Sequence, residues 1–214
     1  MKKVRLIAVM LMGLTVSACA SVDTVTRRAP LIDETAPVSA ASVAVNQVIV
    51  EVPRSLKASE ANRFYPGGDI VWREDPLGDR YAQVRDIVQG AAVKGATGLE
   101  GQNTVNLHIE VTRFHALSEK ARYTIGGMHE MQFKMTLLHP VTGQPLGEPR
   151  MIKANLKALG GAKAIAAERK GLTQKYRITE YLTGVIRAEL SNPDGFQTAN
   201  LGLIPLQEEE IAQF

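Results

Sequence analysis

Apolar and polar residues alternate most cleanly in two stretches near the middle of the chain. Val105, Leu107, Ile109 and Val111 alternate with Asn106, His108, Glu110 and Thr112. Met131, Phe133, Met135 and Leu137 alternate with Glu130, Gln132, Lys134 and Thr136. A period of two puts one set on the buried side of a strand and the other on an open side. A third strand, Met151 to Ala158, turns Ile152, Ala154 and Leu156 inward and Lys153, Asn155 and Lys157 outward. Ahead of these lie a Val/Ile-rich strand over Val43 to Val52, closed by Pro53, and a short one at Ile70-Val71-Trp72.

Two segments follow the helical period instead. Tyr81, Val84, Ile87, Val88 and Ala91 recur at i, i+3, i+4, with Asp75 before Pro76, or Asp79 one turn later, as the N-cap. This helix is expected to run to about Val93, with Gly95 and Gly98 closing it. Thr173 caps the second, in which Ile178, Tyr181, Leu182, Val185, Ile186, Glu189 and Leu190 share a stripe and Asn192-Pro193 ends the run. Ala162 to Arg169 can add a short helix before it. The order strand, short strand, helix, three strands, helix predicts an α+β two-layer domain. Its sheet is mainly antiparallel, with four to five strands, and two helices pack on one face. The polar sides of the later strands form the opposite, open face.

The first residues change the picture. Lys2, Lys3 and Arg5 precede an uncharged run from Leu6 to Val16, too short for the roughly 20 residues of a membrane span but the right size for a signal-peptide core. It ends in Val16-Ser17-Ala18-Cys19, which looks like a lipobox, with cleavage between Ala18 and Cys19 and acylation of the Cys19 thiol. Cys19 is the chain's one cysteine, so no internal disulfide forms, and acylation would remove a reactive free thiol. The expected organisation is a lipoprotein signal peptide over 1–18, the lipidated cysteine and a tether over 19–42, one α+β domain over 43–191, and a partly disordered tail over 192–214. Ala20 stands where an Asp would favour inner-membrane retention, so a lipid-anchored, periplasm-facing position on the outer membrane is expected.

Charge excludes one class of partner. The chain has 25 Lys+Arg and 22 Asp+Glu; without Lys2, Lys3 and Arg5, 22 basic residues balance 22 acidic ones. A neutral chain does not point to nucleic acid. Standard catalytic and cofactor motifs are absent: there is no Gly-x-Ser-x-Gly elbow, no phosphate-binding Gly-x-x-x-x-Gly-Lys and no Cys pair. His129-Glu130 begins like a zinc-protease motif, but Phe133 stands where the second histidine belongs. The remaining metal or acid–base candidates are His108 and Glu110 on one strand face, with Glu130 on the neighbour. Cross-strand charge pairs on a solvated sheet, such as Glu110 or Glu130 with Lys134, are the preferred reading of these residues. Trp72 and Arg73, with the loop aromatics Phe64 and Tyr65, are candidate partner contacts, although Trp72 could instead pack the strand–helix corner. The expected role is a non-enzymatic binding component that takes no cofactor, held to the membrane by acyl chains and pairing with another envelope protein. A periplasmic hydrolase or metal protein using His108, Glu110 and Glu130 is the alternative.

Two resemblances add to this. Arg54-Ser55-Leu56-Lys57, Asn62-Arg63-Phe64-Tyr65-Pro66, Asp69-Ile70-Val71-Trp72-Arg73-Glu74-Asp75 and Thr112-Arg113-Phe114-His115-Ala116-Leu117 resemble a family of small uncharacterised bacterial lipoproteins carrying a domain of unknown function. More loosely, Trp72-x-Glu74-x-Pro76-Leu77 leading into a helix, with strands and a final helix after it, resembles the auxiliary lipoprotein components of ABC-type envelope transport systems. In that group Pro follows the Glu directly; here Asp75 is inserted. This second resemblance implies an auxiliary, non-enzymatic subunit of a transport complex.

Overall fold

The computed structural model describes residues 43–191. The signal-peptide, Cys19 and tether assignments, and that of the C-terminal tail, lie outside the described residues. Five strands and four helices follow in the order β1 (Val43–Glu51), β2 (Ile70–Val71), α1 (Arg80–Ala96), β3 (Asn103–His115), α2 (Glu119–Arg122), β4 (Gly127–Leu138), β5 (Arg150–Ala158), α3 (Gly161–Arg169) and α4 (Gln174–Ser191). No helix among the described residues is long and apolar enough to cross a membrane.

One sheet orders the strands β1-β3-β4-β5, with β2 also paired to β3. The alternating strands β3, β4 and β5 pair antiparallel, placing Glu110 opposite Lys134 and Gln132 opposite Lys153. β1 and β2 join β3 in parallel. The crossover explains why: α1 carries the chain back across the sheet, so β3 leaves from the same end as β1. Two bulges, between Val45 and Gln47 in β1 and between Val111 and Arg113 in β3, reset the alternation. After the second bulge Phe114, not Arg113, faces the core.

The core lies between the sheet and the α1/α4 layer. Leu107, Ile109, Met131, Phe133 and Ile152 from the strands meet Val84, Ile87, Val88, Ile178, Leu182 and Ile186 from the helices. Asp79, the later of the two cap candidates, starts α1 by accepting from the backbone N–H groups of Tyr81 and Ala82. The helix continues past Val93, and Gly95 lies inside it. A Cβ at Gly95 would sit 2.9 Å from the Thr183 carbonyl oxygen and 3.3 Å from the Arg187 nitrogen. Gly95 is thus a point of close backbone approach between α1 and α4, and lack of a side chain, not helix termination, is its role. Thr173 caps α4 by accepting from the Tyr176 N–H at 3.2 Å. Gly126 and Gly160, the turn glycines before β4 and α3, bring their backbones into contact, which leaves no room for a Cβ on Gly160.

Candidate functional site

Between β1 and α1 the chain makes a long irregular excursion, and side chains from the rest of the domain hold it. Arg54 pairs with Asp79 through both carboxylate oxygens, at 3.2 and 2.6 Å, and lies 4.5 Å over the Tyr81 ring. Arg80, 5% exposed, donates to both Glu60 oxygens at 2.6 and 3.0 Å and to the Asp75 and Pro76 carbonyls. Glu60 is correspondingly held below its ordinary carboxylate pKa, the bond from Arg80 being the main cause. Arg73 reaches Glu60 and, at 3.3 Å, Glu119. Asn62 ties the loop to α2, accepting from the Lys120 N–H and donating to Glu119.

The tip of this excursion is fixed from below. The carbonyls of Arg63, Pro66 and Gly68 accept from Ser118, His115 and Arg113 respectively. On that support Phe64 is 38% exposed under the Lys120 ammonium, 4.6 Å from the ring centroid, and Tyr65 is 86% exposed. A rigid loop presenting an aromatic ring offers a contact that loses little entropy on binding. Phe64 and Tyr65 therefore remain at the surface where a partner could meet them.

Trp72 and Arg73 do not join them. Trp72 is fully buried, edge-on to Phe114 at 5.8 Å and 79°, with its indole N–H donated to Asp75 at 2.8 Å. It packs the strand–helix corner, which corrects its place among the contact candidates. Arg73 is spent on Glu60 and Glu119 and holds the loop together.

A second polar group lies where α2, α3 and the start of α4 converge. Glu74 accepts from the Lys175 backbone N–H at 3.1 and 3.0 Å, at the positive end of α4, and from Arg122 at 2.8 Å. Arg122 also faces Glu168 at 3.3 Å, and Lys175 reaches Asp75 at 2.9 Å. Beneath them His129, 1% exposed, accepts from the Leu117 N–H at 3.3 Å through Nδ1. Burial, and secondarily the charges of Arg177 and Arg122, push its pKa down from 6.5 to about 3, so the ring is neutral. The cavity here, lined by His129, Gln174, Arg177 and Glu168, is about 10 Å³. That is room for one water, not for a substrate.

Residues 43–205 match a single family, from the first residue of β1 past the end of α4. The chain belongs to the family of unknown function DUF6778. Among curated proteins no sequence matches. A solved structure of protein XCC0632 from Xanthomonas campestris, a DUF330 protein, is similar over 78% of this chain and 88% of its own, at 15% identity and a TM-score of 0.38. That likeness is too remote to bear on function.

In this DUF6778 domain the other sequence candidates are separated. Glu110 pairs with Lys134 at 3.2 Å, Glu130 with Arg113 at 2.8 Å, and His108 lies 3.7 Å from Glu51 across the β1–β3 pair. The first two are cross-strand ion pairs, and all of these side chains lie on the open sheet face. Among the described residues no group of three His, Cys, Asp or Glu side chains is placed to hold a metal ion. The two ion pairs, Arg80 with Glu60 and Arg122 with Glu74, have no sequence signature beyond scattered charges, because the partners lie 20 and 48 residues apart. His129 did have one: it precedes Met131 by two residues on the inward face of β4.

Proposed function

We propose that this DUF6778 chain is a membrane-anchored envelope lipoprotein that acts as a non-enzymatic binding or auxiliary component, in a transport or envelope-assembly complex. The observation that carries the reading is the run from Lys2 to Cys19, with its basic start, short apolar core and Val-Ser-Ala-Cys ending. Two acyl chains or more, each buried CH₂ contributing about 0.8 kcal/mol, would hold the protein stably at a bilayer. Phe64 and Tyr65, presented on a loop fastened by Arg73, Arg113, His115 and Ser118, support a docking role for the domain.

Metabolic labelling with a palmitate analogue and membrane fractionation test the anchor. The native chain is expected to incorporate label, shorten by the first 18 residues and sediment with membranes. Cys19→Ser should abolish all three. A Cys19→Ser protein that is still processed and still membrane-bound would overturn the assignment. A photo-crosslinking residue at position 65 tests the docking loop. A specific adduct with an envelope protein, lost when the crosslinker is moved to buried Val84, is the expected result.

A further inference from the structure

The neutrality of the chain is a balance of unequal parts. Residues 43–191 carry 20 Lys+Arg and 15 Asp+Glu. Residues 192–214 carry no Lys or Arg and four acids, Asp194 and the run Glu208-Glu209-Glu210. A cationic domain is therefore covalently tied to an acidic segment.

The open side of the sheet, opposite the α1/α4 layer, offers such a segment a surface. Strand register sets out its outward side chains. Met151 stands opposite Lys134, Lys153 opposite Gln132, and Lys157 opposite Met128. Thr112 of β3 reaches the Met151 sulfur at 3.8 Å, so β3, β4 and β5 contribute to one surface. Lys134 and Arg113 are taken by Glu110 and Glu130. Among the described residues, Lys153 and Lys157 make no ion pair. Met128 and Met151 are each 47% exposed. From Met151 through Lys153 and Lys157 to Met128 the order is apolar, cationic, cationic, apolar, over about 20 Å at about 3.3 Å per residue. A face rather than an edge is available here, because Arg177 and Tyr181 of α4 already donate to the Lys157 and Asn155 carbonyls of β5.

Residues 206–211 have the complementary order. Leu206 precedes Glu208-Glu209-Glu210 and Ile211 follows, about 17 Å from end to end when extended. The chain also leaves the domain in the right place. α4 ends at Ser191, which lines one cavity with Val43 at the start of β1. β3 and β5 both pair antiparallel with β4, so β5 starts from the same end of the sheet as β1 and β3. Between Ser191 and Glu208 lies up to about 50 Å of chain. We propose that residues 206–211 cover the β4–β5 half of the open face, with Glu208, Glu209 and Glu210 against Lys153 and Lys157, and with Leu206 and Ile211 against the two methionines. Tethering holds the acids near the lysines at roughly millimolar effective concentration, so individually weak exposed ion pairs suffice. A partner for this face must displace the segment. Salt loosens it, as the Debye length falls to about 3 Å at 1 M.

Zero-length carbodiimide crosslinking of the full chain tests this, because it condenses a lysine amine with a glutamate carboxyl, with loss of water. A mixture of ordinary and isotope-labelled chains is read by mass spectrometry, and the Glu110–Lys134 pair, 3.2 Å apart, supplies the reference link. The expected result is links from Glu208, Glu209 or Glu210 to Lys153 and Lys157 within one chain at low salt, lost at about 1 M salt. Links only between peptides of different isotope would assign the face to a second copy and overturn the proposal. Equal links to Lys57, Lys120 and Lys163 would also overturn it, since an acid that is merely tethered samples them all. So would the absence of any such link while the reference forms. Changing Glu208, Glu209 and Glu210 all to Gln leaves every core residue in place and should speed peroxide oxidation of Met128 and Met151. Equal oxidation rates in parent and variant would overturn the cover. None of these readouts depends on Cys19, so their failure leaves the lipid-anchor reading standing.

Discussion

Two buried ionisable groups oppose each other as the pH falls, and that opposition can be measured. His129 has a folded pKa near 3 against about 6.5 when solvated. Below pH 6.5 the unfolded ring binds a proton that the folded ring refuses, so stability present at neutral pH is lost at about 1.4 kcal/mol per pH unit. By pH 5 the loss is about 2 kcal/mol. Glu189 works the other way. Its carboxyl sits on the apolar stripe of α4, 2% exposed, and burial pushes its pKa up from 4.5 to about 7, Arg150 opposing part of the shift. Below pH 7 the folded carboxyl takes up a proton before the unfolded one does, which adds roughly 2.5 kcal/mol by pH 5. The intact protein should therefore change little in stability between pH 7.5 and 5, and single variants should separate the two effects. His129→Gln keeps an acceptor for the Leu117 N–H and removes the titration; relative to the parent, it should gain about 2 kcal/mol on going from pH 7.5 to 5. Glu189→Gln should lose about 2.5 kcal/mol over the same interval. Urea unfolding at both pH values, followed through the emission of buried Trp72, the single tryptophan, measures each difference. A parent-minus-variant difference that is the same at pH 7.5 and pH 5 for His129→Gln would refute the argument, because burial would then not be what keeps that ring neutral.

Two further substitutions probe the packing that positions the loop and the helices. Gly95→Ala pushes a methyl against the α4 backbone, which cannot rotate away as a side chain would. It should cost about 1–3 kcal/mol in urea unfolding, whereas the same change at Gly90, where nothing lies within 4 Å, should stabilise the helix by up to about 1 kcal/mol. Glu74→Gln leaves Arg122, whose side chain is 11% exposed, with the longer ion pair to Glu168 and a neutral bond to the Tyr123 hydroxyl, and removes the charge at the start of α4. A loss of about 2–3 kcal/mol is expected, with reduced hydrogen-exchange protection in the first turn of α4.

The Glu74 result would also explain a sequence pattern. Trp72 and Glu74 are two residues apart because the chain turns from β2 toward α1 there. Trp72 fills the core at the corner while Glu74 reaches out to cap a helix a hundred residues later. Sequence alone shows the spacing but offers no reason for it. A two-residue strand is too short for alternation to say which side is buried, so Trp72 was equally compatible with a surface.

What the sequence determined by itself was everything that depends on local periodicity and capping. The period of two in β3, β4 and β5, the period of 3.6 in α1 and α4, and the cap at Thr173 follow from backbone geometry that neighbouring residues settle among themselves, while for α1 they left Asp75 and Asp79 both open. These were enough for an α+β sheet with helices on one face. Tertiary structure decided what depends on which distant segments meet. The crossover made β1 and β2 parallel to β3. Gly95 became a helix contact. Arg80 met Glu60, and Arg122 met Glu74. Glu110 and Glu130 were sent to separate cationic partners, Lys134 and Arg113. The physical reason is range: propensity and amphipathicity act over one or two turns of chain, whereas an ion pair or a close backbone approach joins residues that only the completed fold brings together.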